Sequence, residues 1–217
     1  MINKDEKYYT DLKRNRIIEE FLDSYLYIDG AKRITNRKMQ NRGYDVVYKD
    51  WIIDEKSNID WKGKHPNEIL QTFLTELSIT LDDEDTEYEG YTNEGKKYRY
   101  NGFLSDYTEN NAYMFIWIDK CNFLPDGTFY KEDIKEVEVA LVEKTKLEEY
   151  LNKKRFSKSK LKNIVDKIYL QGKGFEKNGL RFWLNKYSKE KSVVVIIPRE
   201  DLKKIATKTT KITRNKV

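Results

Sequence analysis

A single cysteine, Cys121, and a single histidine, His65, set the first limits on what this chain can do. One thiol cannot close an intrachain disulfide, and it excludes cysteine-rich zinc sites. One imidazole excludes zinc sites built from several histidines. His65 precedes Pro66 in a polar stretch and reads as a surface residue. No apolar run is long enough to span a bilayer, and the N-terminal residues carry no signal-peptide apolar region. The expectation is a cytoplasmic protein with no membrane contact. What is present is bulky and charged. Hydrophobic residues make up 38% and charged residues 36%, with 16 Tyr, 9 Phe and 4 Trp supplying core material. That balance describes a globular chain and not a disordered one. At 217 residues it is long enough for one domain with a sizeable core.

Charge is unevenly placed. Residues 151–217 carry 20 Lys/Arg against 5 Asp/Glu, while the preceding 150 residues carry 22 against 32. A basic C-terminal third points to a polyanion partner, and nucleic acid is the commonest polyanion. A lysine-rich solubilising surface accounts for the same asymmetry and is weighed beside it.

The most informative stretch runs from Gly43 to Lys56. β-branched and aromatic residues dominate Tyr44–Tyr48 and Trp51–Lys56, which favours two strands joined by Lys49-Asp50. A two-residue loop sets Tyr48 opposite Trp51, Val46 opposite Ile53 and Asp45 opposite Asp54. Alternation then places Asp45, Asp54 and Lys56 on one face. Opposed carboxylates repel. A hard divalent cation, Mg²⁺ or Mn²⁺, would compensate them. The alternative is a solvated hairpin, and the apolar residues on both of its faces argue against that. Lys-Asp lacks the glycine that a type I′ turn favours.

An Asp, a short gap, and then Asp-X-Lys after an apolar run resembles the PD-(D/E)XK nuclease superfamily. Asp45 stands as the first acid and Asp54-Glu55-Lys56 as the triplet, with Gly43-Tyr44 where the superfamily's name has Pro. The resemblance implies a first helix, an antiparallel meander carrying the acids, a second helix and a further strand. It also implies a glutamate on the first helix reaching the metal site. Residues 8–28 show helical spacing of Ile18, Phe21, Leu22, Tyr25 and Leu26. Glu19 borders that stripe and is the choice for the carboxylate, with Glu20 as its alternative. A third meander strand would lie around Ala31–Thr35.

Elsewhere, Arg33, Arg37, Lys38 and Arg42 cluster between helix and hairpin, where phosphates would sit well. A stripe of Ile69, Leu70, Phe73, Leu74 and Leu77 after Pro66 predicts a helix over 66–77. Residues 82–89 form an acidic loop whose spacing does not match an EF-hand. Lys97–Ser105, Ala112–Phe123 and Val137–Val142 read as strands. Helices are expected over 145–152 and 157–170, the latter with Leu161, Ile164 and Ile168 inward. A strand running into a short helix occurs twice, over 139–151 and 195–206, with Leu147 and Leu202 packing back. Gly172-Lys173-Gly174 lacks the spacing of a phosphate-binding loop. Residues 207–217 read as a basic, mobile tail.

The expected architecture is a single α/β domain over residues 1–206, a central mixed sheet flanked by helices with a restriction-endonuclease-like core. Its motif region spans 8–80 and its basic part 151–206, and a basic tail covers 207–217. The resemblance implies an Mg²⁺-dependent nuclease, endo- or exonuclease, hydrolysing phosphodiester bonds in nucleic acid, with DNA the expected substrate and RNA left open. Asp45, Asp54 and Glu19 would hold Mg²⁺ or Mn²⁺, and Lys56 would stabilise charge at the phosphate. Arg37, Lys38 and Arg42 would bind the nucleic-acid backbone, and a homodimer is an admissible assembly. The alternative from another class is a catalytically inactive nucleic-acid-binding protein of the same fold.

Overall fold

The computed structural model describes residues 4–40, 44–58, 68–73, 75–77, 90–91, 97–100, 102–104, 108–184 and 193–214. The first half holds α1 (Lys4–Tyr25), β1 (Lys32–Arg33), α2 (Arg37–Gln40), β2 (Val46–Tyr48) and β3 (Trp51–Asn58). There follow β4 (Glu68–Phe73), β5 (Thr75–Leu77), β6 (Gly90–Tyr91), β7 (Lys97–Tyr100) and β8 (Ala112–Cys121). The second half holds β9 (Ile134–Glu143), α3 (Lys144–Lys153), α4 (Lys158–Gln171), β10 (Phe175–Lys177) and β11 (Leu180–Leu184). It closes with β12 (Val193–Pro198), α5 (Arg199–Ile205) and β13 (Lys208–Thr213). Among the described residues no helix is long and apolar enough to cross a membrane.

Two compact units emerge, each from separated segments. The first comprises Met1–Ile69, Glu109–Lys146 and Pro198–Val217, and the second Leu70–Thr108 and Leu147–Ile197. The first is built on a mixed sheet ordered β1-β2-β3-β8-β9-β13. Its neighbours pair antiparallel except β3 and β8, which run parallel. One face of this sheet is apolar by strand alternation: Val46, Ile53, Ala112, Met114, Ile116, Val137 and Val139 pack with Ile18, Phe21 and Leu22 of α1. The helical stripe read from sequence thus meets the period-2 stripe of the sheet. Phe21 and Leu22 are fully buried, each stabilising the unit by roughly 1.5–3 kcal/mol. Tyr25, at the edge of that stripe, remains 36% exposed. On the sheet's other face, α5 packs against β9. Arg199 anchors it through paired bonds of 2.6 and 2.7 Å to Asp119, a bond to Glu138 and a stack over Trp117.

The second unit contains the sheet β10-β11-β12-β4 and the sheet β5-β7-β6. In α4, Leu161, Val165, Ile168 and Tyr169 are buried, so Val165 takes the inward place expected for Ile164. Gly172 ends the helix at φ 63°, its N–H donating to the Ile168 carbonyl. Phe182 of β11 lies edge-on to Phe156 and beside Phe175.

Three expectations need correction. The helix expected over 66–77 is replaced by strands β4 and β5. Their partners, β12 and β7, lie far along the chain, and pairing with them overrides a local stripe that suits either period. The strand expected over Lys97–Ser105 stops at Tyr100, and Gly102–Leu104 forms a 3-10 turn. The expected mobile tail instead contains β13, paired with β9 from Lys208↔Leu141 to Thr213↔Glu136. Thr209, Thr210, Ile212 and Thr213 are β-branched, and that preference outweighs the run's low hydrophobicity. The strand-into-helix unit does occur twice, as β9–α3 and β12–α5, with Leu147 and Leu202 fully buried. His65, the acidic loop over 82–89 and Arg42 lie outside the described residues.

Candidate functional site

The hairpin forms in the expected register, with Tyr48 opposite Trp51 and Val46 opposite Ile53. Lys49 adopts φ 53°, supplying the left-handed backbone that a glycine would otherwise provide. The ladder ends at Val46↔Ile53. The Asp45 N–H also donates to the Ile53 carbonyl at 3.0 Å, so Asp45 and Val46 both stand against Ile53, as in a β-bulge. The expected direct pairing of Asp45 with Asp54 is therefore replaced by contact between their carboxyls. One carboxylate oxygen of Asp45 accepts the Glu55 backbone N–H at 2.8 Å, which fixes the side chain against β3.

Parallel pairing of β3 with β8 sets Asp54 beside Tyr113 and Lys56 beside Phe115. Both aromatic residues are fully buried. Asp54 is 4% exposed, and its carboxyl hydrogen-bonds the Lys56 ammonium. Burial raises the Asp54 carboxyl, Lys56 opposes that, and the Asp45 carboxyl within hydrogen-bonding reach raises it again, to about 7. The result is a buried Asp54 carboxyl held between the Asp45 carboxyl and the Lys56 ammonium.

Glu19 faces the site from α1. Burial lifts its carboxyl above the ordinary range, Arg33 counters, and the charge of Asp45 adds to the rise. Glu20 is exposed and lies 3.8 Å from Arg16. Glu19 is thus the helix carboxylate that Asp45 affects. Even so, among the described residues no three His, Cys, Asp or Glu side chains converge on one point. The expected three-carboxylate set is therefore not assembled among the described residues.

Glu55, between the two motif residues, points the opposite way by alternation. The Tyr27 hydroxyl donates to it at 2.7 Å and Arg33 Nη1 at 2.7 Å. Arg33 also donates to Asp23 at 2.9 Å and to the Glu19 carbonyl at 3.2 Å. Burial pushes the Glu55 carboxyl up, and the Arg33 guanidinium holds it down. Arg33 is therefore committed to intramolecular carboxylates and not, as its basic cluster suggested, to phosphate. It ties the helix bearing Glu19 to the strand bearing Asp54. Sequence reasoning missed this clamp and the place of Tyr113, since their partners are distant in the chain. The one available signal for the clamp was the acid at position 55 in an apolar strand. Arg37 and Lys38 lie on α2, and nothing further is assigned to their side chains.

Mg²⁺ is commonly held by one or two protein carboxylates, and Asp45 and Asp54 are the carboxyls here that could serve. The Lys56 ammonium donates to Asp54 and is not a ligand. Cys121 offers no competing chemistry: burial and Asp133 push its thiol up to about 12. Comparison of the chain with protein-family models, curated proteins and solved structures finds no match.

Proposed function

We propose that this protein is a metal-dependent nuclease hydrolysing phosphodiester bonds in nucleic acid, with DNA as the substrate to test first and a restriction-endonuclease-like core. The observation that carries the reading is the contact of the Asp45 and Asp54 carboxyls, with the Lys56 ammonium bonded to Asp54. The order α1 followed by the antiparallel meander β1–β2–β3 supports it, being the first part of the order the resemblance implies. The crossover between β3 and β8 departs from the implied helix, since strands β4 to β7 lie there.

Asp45 and Asp54 would hold Mg²⁺ or Mn²⁺, which supplies Lewis acidity and charge neutralisation at a phosphodiester. Asp45 is oriented for this by the Glu55 N–H, and Asp54 by its buried place beside Tyr113. Lys56 places a positive charge where phosphate charge builds, which is its role here. Glu19 sits at the margin of the pair and shapes its field.

The test is cleavage of plasmid and single-stranded DNA with Mg²⁺ or Mn²⁺ by the wild type, Asp54→Asn and Lys56→Ala. The expected result is metal-dependent cleavage that falls on the order of 10²–10³-fold in each variant. Equal cleavage by all three would remove the pair as the site. Salt-dependent binding without cleavage would favour the inactive binding protein.

A further inference from the structure

In the second unit, β11 alternates Leu180 and Phe182, both buried, with Trp183, which keeps 53% of its surface exposed. A lone exposed aromatic is ordinary. This one has three further features. It lines a cavity of about 270 Å³ with Gly172, Lys173, Gly174 and Leu184, just below the roughly 300–1,000 Å³ of drug-sized pockets. Gly174 approaches β11 so closely that an added Cβ would meet the Phe182 carbonyl at 2.2 Å and Trp183 Cα at 3.1 Å. The turn from α4 into β10 is therefore held against the Trp183 backbone, with no side chain at Gly174 to fill the space. Finally, the segment of this unit from Leu147 to Ile197 carries 13 Lys/Arg against 5 Asp/Glu. Lys173 lines the cavity itself, and Lys153, Lys160, Lys167 and Lys177 are exposed.

An accessible indole beside a small cleft within a basic segment selects a ligand that is anionic and has a flat aromatic face. Nucleic acid has both. In a duplex the base faces are stacked on one another, so only unpaired nucleotides can offer one. We propose that Trp183 and Lys173, over the Gly172–Gly174 turn, form a stacking site for an unpaired base of single-stranded nucleic acid, Lys173 meeting the adjoining phosphate. The site belongs to the second unit alone and needs no metal. It shares with the nuclease reading only the class of ligand.

The experiment uses the full chain in EDTA, so that hydrolysis plays no part. Binding of labelled oligo(dT) and of a duplex of equal length is measured by anisotropy, and tryptophan quenching is followed on the same samples. The wild type is expected to prefer the single strand. Trp183→Ala should weaken that binding roughly 5- to 150-fold, while Trp183→Phe retains most of the affinity and loses the quench. Lys173→Ala should weaken binding and flatten its salt dependence. Unchanged oligo(dT) binding by Trp183→Ala overturns the proposal. So does equal wild-type preference for the duplex, or tighter binding of an acidic polypeptide, which would mark a protein-docking surface. The assay contains EDTA and leaves Asp45, Asp54 and Lys56 intact in every variant, so failure of this site is read separately from failure of the catalytic reading.

Discussion

Replacing Asp54 by Asn turns the buried carboxyl into a neutral group of the same shape, and the structure sets the sign of the result. In the folded chain this carboxyl titrates near 7, against 3.8 for its ordinary value, chiefly through burial. Between those values the native state holds a proton that the unfolded state has released. Stability falls with rising pH wherever the native state binds more protons. The carboxyl's contribution is therefore fully present below 3.8 and lost as pH passes about 7. At about 1.4 kcal/mol for each tenfold change in proton affinity, the span corresponds to roughly 4 kcal/mol. Relaxation around a buried charge lowers such penalties, so an expected gap of about 2–4 kcal/mol follows. Asp54→Asn should thus gain on the wild type progressively from about pH 4 to about pH 8. Urea unfolding of both proteins in EDTA across that range measures the gap. A gap that stays constant with pH, or that closes as pH rises, would refute the argument that Asp54 is desolvated beside Asp45.

Two further outcomes test the frame around the site. Arg33→Ala leaves the Glu55 carboxylate, 9% exposed, without its guanidinium, and should destabilise the fold by about 3–5 kcal/mol in urea titration. Arg33→Met with Glu55→Leu should recover most of that loss, and a double variant as weak as the single one would show that the clamp is not the cause. Amides of β13 engaged in the ladder with β9 should exchange hydrogen far more slowly than those of an unstructured chain. Exchange at unstructured rates across Lys208–Thr213 would remove that strand from the sheet.

The hairpin was legible because its two strands are adjacent in sequence and a two-residue loop leaves one register. The same holds for α1, where Ile18, Phe21 and Leu22 repeat at the helical period. The sequence brought Asp45 close to Asp54, but the direct pairing expected of them gives way to a bulge at Ile53. Their electrostatics did not follow from position, because the burial of Asp54 depends on Tyr113 of a strand that pairs across a long gap. β4 and β5 were misread for a related reason: Ile69, Leu70, Phe73 and Leu77 satisfy a helical stripe, and only remote partners decide otherwise. β13 was misread because alternating Thr and Lys resemble a solvated tail when β9 is out of view. Arg33 looked like a phosphate ligand until Asp23 and Glu55 were seen to enclose it.

The parallel junction of β3 and β8 has a consequence in time. Hairpin β2–β3 can form from neighbouring residues, on the microsecond scale of such elements. β8 reaches it only by closing the stretch between Asn58 and Ala112, at an entropic cost of roughly 3.5 kcal/mol for a loop of about 50 residues. Before that closure Asp54 has no β8 beside it. Afterwards it lies beside Tyr113 and has taken up a proton near neutral pH. Joining of the two strands thus brings Asp54 into the surroundings that raise its carboxyl, and the refolding rate is expected to depend on pH around neutrality.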